Sequence, residues 1–363
     1  VTRVPPVARV VALLIGVAWL PVRADVDKAH ADFKAGRYLD AAAEMQAVVD
    51  RSPGYDYGYF FIGHCMLKMG HAPEAEVQFR RAIDIKPSRS EYYQGLAMAL
   101  KAEADWARTI QATTEGLARG QDTPSRYALL KLRGYAYGAL QRWERAVQDL
   151  EAARRIKQEP SVLLMLGKAY FSNGDFAAAV PPLLAGLSYA PEDATVLRLL
   201  AESYLRVAAS DHNPTRKRLE YVESLGYAQR LTSIVPSDLD AIALIGRAAL
   251  GAGRLAQAES VFLHVLQHDP RKCYAMVNLG RTYFAAERWT EAEAFLRKAA
   301  ACAPRMAEVY ETLGELYLKR GLTQAAADAF RRAEEIDPTD RNPRAFGAER
   351  HNPPGSIPVS GPR

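Results

Sequence analysis

Apolar residues recur at helical spacing along most of this chain, and prolines punctuate them at a fixed interval. Pro236, Pro270, Pro304 and Pro338 stand 34 residues apart, and each interval repeats the same marks: Gly246, Gly280 and Gly314, then Ala258, Ala292 and Ala326, then Phe262, Leu296 and Phe330. With the proline as position 32 of a unit, apolar positions 4, 7, 8 and 11 fall on one face of a first helix. Positions 20, 24 and 27 form the facing stripe of a second. The pattern predicts tandem helical hairpins and no strand. A single hairpin cannot bury both stripes, so the units must stack.

Counting back from the prolines gives nine units. The first runs from about Val26 to Pro53, with Gly36, Tyr38 and Ala41 at its turn. The second spans about Asp56 to Pro87, with Gly63, Gly70, Ala75, Phe79 and Ala82. The third, Ser90 to about Gln121, has decayed: Tyr93, Leu96, Ala97 and Trp106 keep the pattern, but Thr109 and Thr113 replace an alanine and an aromatic residue. The fourth, Tyr127 to about Gln158, regains it, and the fifth matches closely through Gly167, Tyr170, Ala179, Leu183 and Pro191. In the sixth, Pro191 to Pro236 is 45 residues, eleven more than the period. The surplus is expected at 209–220, after a normal first helix. There Ser-Asp-His-Asn-Pro reads as a loop, with Asn213 as N-cap and Pro214 opening a second helix, Thr215 to Ile234, lengthened by about two turns. That helix would project Arg216, Lys217 and Arg218.

The proline, glycine and alanine marks over about residues 26–338 resemble the tetratricopeptide repeat family, here of an exported bacterial type. The resemblance implies an all-α fold, an α-solenoid in the form of a right-handed superhelix, whose first helices line a concave groove. It also implies that positions 2, 5, 6, 9, 12 and 13 face that groove, which in this family holds protein or peptide partners. Read in order, these positions give an aromatic start of Phe33, Tyr57, Phe60 and His64. A basic middle of Lys131, Tyr135, Lys168, Arg198, Arg247, Asn278 and Arg281 follows, then an acidic end of Glu308, Glu311 and Glu315. Charges at position 9, Lys168, Glu202 and Arg247, and then Arg281 and Glu315, alternate as in an ordinary solvated ladder. The family's carboxylate clamp for chaperone tails is not matched, because His30 and His64 stand where that clamp starts with asparagine.

The ends change the picture of charge and location. Arg3 and Arg9, the eleven-residue apolar run Val10–Leu20 and the small residues of Val22-Arg23-Ala24 predict a signal peptide over 1–24, cleaved before Asp25. The run is shorter than the roughly 20 apolar residues of a membrane-spanning helix. The mature chain is therefore expected to be periplasmic or secreted, with no transmembrane segment and a repeat array over 25–338. Residues 339–363 are rich in proline and glycine and are expected to be disordered. The net charge is +5. The leader takes three arginines with it and the tail carries a surplus of two, so the array is close to neutral and bulk charge gives no reason to expect nucleic acid.

Signs of catalysis are few. No glycine-rich nucleotide loop follows a strand, and no Ser, His and Asp set assembles by spacing. His264 and His268 lie four apart, but Val265 stands where a zinc peptidase needs glutamate. No cofactor is implied. Cys273 at position 1 and Cys302 at position 30 should face each other where the first helix of the eighth unit begins and the second ends, a geometry that permits a disulfide in an oxidising compartment. Cys65 is left as a lone, buried thiol. The sequence therefore predicts a non-enzymatic periplasmic scaffold that holds extended segments of envelope proteins, in assembly or secretion. An accessory subunit of a glycan- or envelope-processing enzyme complex is the alternative.

Overall fold

The computed structural model describes residues 23, 25–119 and 122–338. The expected signal peptide, apart from Arg23, and the proline-rich tail lie outside the described residues. Described residues of the chain group into two compact units, one ending at Tyr189 and one starting at Ala190. The first holds five hairpins: α1 (25–34) with α2 (Tyr38–Arg51), α3 (Asp56–Lys68) with α4 (Ala72–Ile85), α5 (Ser90–Ala102) with α6 (Trp106–Arg119), α7 (Thr123–Ala139) with α8 (Trp143–Ile156), and α9 (Pro160–Ser172) with α10 (Phe176–Leu187). The second holds four: α11 (Ala194–Ser210) with α12 (Pro214–Ile234), α13 (Leu239–Gly251) with α14 (Leu255–His268), α15 (Cys273–Ala285) with α16 (Trp289–Cys302), and α17 (Ala307–Lys319) with α18 (Thr323–Ile336). Within each unit every helix packs on the next in the chain, and first helices also touch first helices, α5 on α7 for example. No strand occurs among the described residues. The architecture is the expected α-solenoid of stacked hairpins.

One contact explains why the repeat marks recur. Position 8 of the first helix is glycine where position 24 of the second is Phe or Leu, and the two meet. A Cβ added at Gly280 would lie 2.7 Å from Leu296 Cγ, and one at Gly314 would lie 2.6 Å from the Phe330 ring. Leu296 and its counterparts Phe79, Leu150, Leu183 and Phe262 are fully buried. Each such side chain contributes about 1.5–3 kcal/mol of apolar burial, and the missing Cβ lets the helices close to the distance that permits it.

The third hairpin departs from this by construction. Thr113 occupies position 24 without leaving a buried hydroxyl unmet, because its Oγ1 donates to the Thr109 carbonyl at 2.7 Å, and Thr109 donates to Asp105 in the same way. Phe79, at position 24 of the second hairpin, is wedged between Gly63 of its own hairpin and Gly95 of the third. The fourth hairpin also differs from the sequence reading. Its first helix begins one turn before Tyr127, at Thr123, where the Asp122 side chain accepts from the Ser125 amide and Pro124 sits in the first turn.

The sixth hairpin keeps its expected cap: Asn213 accepts from the amides of Thr215 and Arg216. Its surplus is divided, however. α11 has 17 residues and α12 has 21, against 13 and 14 in α13 and α14, so the eleven extra residues add about one turn to the first helix as well as two to the second. The sequence reading placed them all after the first helix. The extension packs: Tyr204 and Tyr227 stack at 5.7 Å, Ser224 Oγ donates to the buried Ala201 carbonyl, and Tyr221 covers Gly251 so closely that a Cβ there would be 2.4 Å from its ring.

Candidate functional site

The residues read as groove-facing all stand on first helices, and the structure uses them in three ways. At the start of the N-terminal unit they are packing. Phe33 lies 5.2 Å from Tyr38 and 5.3 Å from Phe61, Tyr57 lies 5.9 Å from Phe60, and Phe60 is sandwiched between His64 at 4.5 Å and Tyr92 at 4.9 Å. These rings are half-buried against the cores of the first hairpins. The expected aromatic start is thus engaged in contacts that join neighbouring helices, with part of each ring still exposed. Distances of this order suit edge-to-face rings.

His64 is the exception, because it also lines a cavity of about 530 Å³ between α3, α5 and α7. Leu67, Met98 and Leu132 supply apolar wall, with Ala102 and Ala128 between them, and Lys68, Lys101 and Lys131 stand around it. Burial, aided by the Lys68 charge, lowers the His64 pKa to about 4, so the ring is neutral at pH 7. Lys131 pairs with Glu159, which also accepts from Tyr127 and Ser161, and these bonds hold the Glu159 carboxyl down at about 2. Tyr135 does not line the cavity. Its ring lies under the Lys101 ammonium, 4.9 Å away. Lys168 is exposed and makes no ion pair with a described residue.

The C-terminal unit gathers Arg198, Arg247, Asn278 and Arg281 around a cavity of about 290 Å³ on α11, α13, α15 and the start of α17. The expected basic middle is not a free positive surface, because Glu202, Asp240 and Glu308 share its wall. Arg198 pairs with Asp238 at 2.7 Å, and Arg281 pairs with Glu308. Asn278 donates to the Tyr274 carbonyl, and the Tyr274 hydroxyl donates to Asp240 at 2.7 Å. Arg247 is different: it is half-buried, and no described carboxylate lies in ion-pair range of it. Its burial, with Arg206 nearby, pulls its pKa down from the usual guanidinium value. Such a fork of donors is a ready partner for an incoming carboxylate. Next to it Glu308, Glu311 and Glu315, the expected acidic end, line a further cavity of about 330 Å³ with Arg281 and Phe284.

The sequence reading missed Lys68, Gln94, Met98 and Lys101. Gln94, Met98 and Lys101 occupy positions 5, 9 and 12 of the decayed third unit, so applying the same positional rule to that unit would have found them. The pairing of Arg198 and Lys131 with carboxylates at the start of the following hairpin had no signal in a single repeat.

Other candidates do not form sites. His264 and His268 are exposed with ring centres 4.3 Å apart, and no group of three possible metal ligands occurs among the described residues. Burial pushes the Cys65 thiol up to about 12, which makes it a packing group. Cys273 and Cys302 are joined as a disulfide between the first residue of α15 and the last of α16, with Cα atoms 5.6 Å apart. Among the described residues no helix is long and apolar enough to cross a membrane.

Comparison with known sequences and structures agrees with this architecture. Patterns described as tetratricopeptide repeat match residues 32–102, 164–206 and 271–339, together about half the chain. A tetratricopeptide repeat protein from Parabacteroides merdae superposes with a TM-score of 0.52 at 16% identity, over 69% of this chain and 94% of that one. The C-terminal part of a repeat-containing protein from Cytophaga hutchinsonii gives 0.46 at 18% identity, over 70% and 99%. The P58(IPK) TPR domain gives 0.34 at 15% identity, over 91% and 98%. No curated protein matches the chain. At 16% identity, the likeness to the Parabacteroides merdae structure shows the fold alone.

Proposed function

The chain belongs to the tetratricopeptide repeat family, whose fold is a protein–protein interaction scaffold and generally non-enzymatic, and from that premise we propose that it is an exported, periplasmic scaffold holding extended segments of envelope proteins. The observation that carries the reading is that a cavity in each unit is walled almost entirely by first-helix residues, the second-helix residues taking no part in either wall. An extended segment lying against the first helices meets an apolar, lysine-rimmed cavity in the N-terminal unit, or the Arg247 fork in the C-terminal unit, and its backbone and side chains can be bound there by charge-assisted hydrogen bonds. Support for export comes from the leader pattern at 1–24 and from the Cys273–Cys302 bridge, which suits an oxidising compartment.

Cell fractionation with N-terminal sequencing tests the location. Mature protein beginning at Asp25 in the periplasmic fraction is expected, and cytoplasmic protein retaining Arg3 would overturn it. Affinity purification from envelope extract tests the surface: a Met98→Glu/Arg247→Glu variant should lose the partner that the unaltered chain retains. Equal recovery by both would remove the first helices as the binding surface.

A further inference from the structure

The N-terminal cavity carries information about its occupant that the sequence reading did not reach. Its wall contains three lysines and no carboxylate. Glu159 neutralises Lys131, but Lys68 and Lys101 have no acidic partner among the described residues. The remaining titratable group in the wall besides Tyr127, His64, is neutral at pH 7 and adds nothing to balance them. By contrast, the C-terminal cavity sets three arginines against three carboxylates. Besides the lysines the wall is largely apolar, and Met98 in it is 37% exposed, apolar surface that is favourable to remove from water. Ala102 and Ala128 keep the space open where larger residues would fill it. The volume, about 530 Å³, falls within the roughly 300–1,000 Å³ of clefts that hold ligands.

Building on the scaffold reading above, we propose that this cavity is the anchor point for an internal acidic–apolar segment of the partner protein: one large apolar side chain enters against Met98, Leu67 and Leu132, and carboxylates on its two sides meet Lys68 and Lys101. The third repeat, which departs most from the repeat pattern, supplies Met98 and Lys101 and thereby sets the specificity. Basic segments are rejected because they would bring like charges to an already cationic wall.

The test uses the full chain and an N-terminally fluorescein-labelled, C-terminally amidated peptide, Gly-Ser-Asp-Glu-Leu-Glu-Asp-Ser-Gly, measured by fluorescence anisotropy. Two companion peptides replace the four acidic residues by lysine, or the leucine by serine. The acidic leucine peptide should bind, at least tenfold more tightly than either companion, and should weaken as salt is raised. Lys101→Glu and Met98→Glu should each weaken it about tenfold or more, while Lys86→Glu, beyond the end of α4, leaves it unchanged. Circular dichroism of each variant checks that the helices remain. Failure of the acidic peptide to bind, equal binding of the lysine peptide, or equal binding by Lys101→Glu would each overturn the anchor. If envelope partners were still lost from the Met98→Glu/Arg247→Glu variant, only the anchor's chemistry would fall and the scaffold reading would stand.

Discussion

Gly280 shows how much of this molecule depends on single atoms. A methyl group there must displace Leu296, which is fully buried and cannot move without disturbing its neighbours. Gly280→Ala should destabilise the C-terminal unit by about 1–3 kcal/mol in urea denaturation. Glu287 points the other way. It holds φ at 59°, where the other hairpins carry glycines such as Gly253 and Gly321, so Glu287→Gly should raise stability by about 0.5–1 kcal/mol in the same assay. Both positions are legible in the sequence because they recur in register. His64 is not, because its burial depends on Phe60 and on Phe79 of the next helix. With its folded pKa near 4, below the ordinary 6.5, the unfolded chain takes up a proton that the folded chain refuses. Stability from this residue is whole above pH 6.5 and lost as the pH falls toward 4, so His64→Gln should flatten that part of the pH–stability curve. Glu159, held down at about 2 from an ordinary 4.5, adds its own loss below pH 4.5, which Glu159→Gln should remove.

Among the elements, the eighth hairpin is tied at its open end and the sixth is stretched. The Cys273–Cys302 bridge closes a loop with a sequence separation of 29, and by loop-closure entropy its removal should cost about 3–4 kcal/mol. Dithiothreitol should lower the unfolding free energy of the unaltered chain in urea by that amount and leave a Cys273→Ser/Cys302→Ser variant unmoved. The juxtaposition was readable because facing positions in a repeat add to a constant. In the sixth hairpin the surplus length and the Asn213 cap were readable too, and Asn213→Ala should cost about 1 kcal/mol. How the surplus is shared was not, because α11 lengthens to stay paired with α12, a tertiary effect with no local signature. On α18 the Asp328–Arg331 and Arg332–Glu335 pairs lie on an exposed face.

For the whole molecule, the repeat register made the fold legible and left the charge pattern misread. Position numbers said which residues share the first-helix face, but whether an arginine there is free or paired depends on carboxylates in the following hairpin, as Arg198 with Asp238 and Lys131 with Glu159 show. Lys68 and Lys101, without carboxylate partners among the described residues, stand on α3 and α5, at and just beyond the residues read as an aromatic start. The central claim is that first helices, and not second helices, carry the partner. Photo-crosslinking in cells measures this directly, with a benzophenone amino acid placed in turn at Met98, Lys168 and Arg247 on first helices and at Val77 and Leu263 on exposed positions of second helices. Adducts to the same partner from the first set and none from the second are predicted. Adducts of equal yield from both sets, or from the second set alone, would contradict the account.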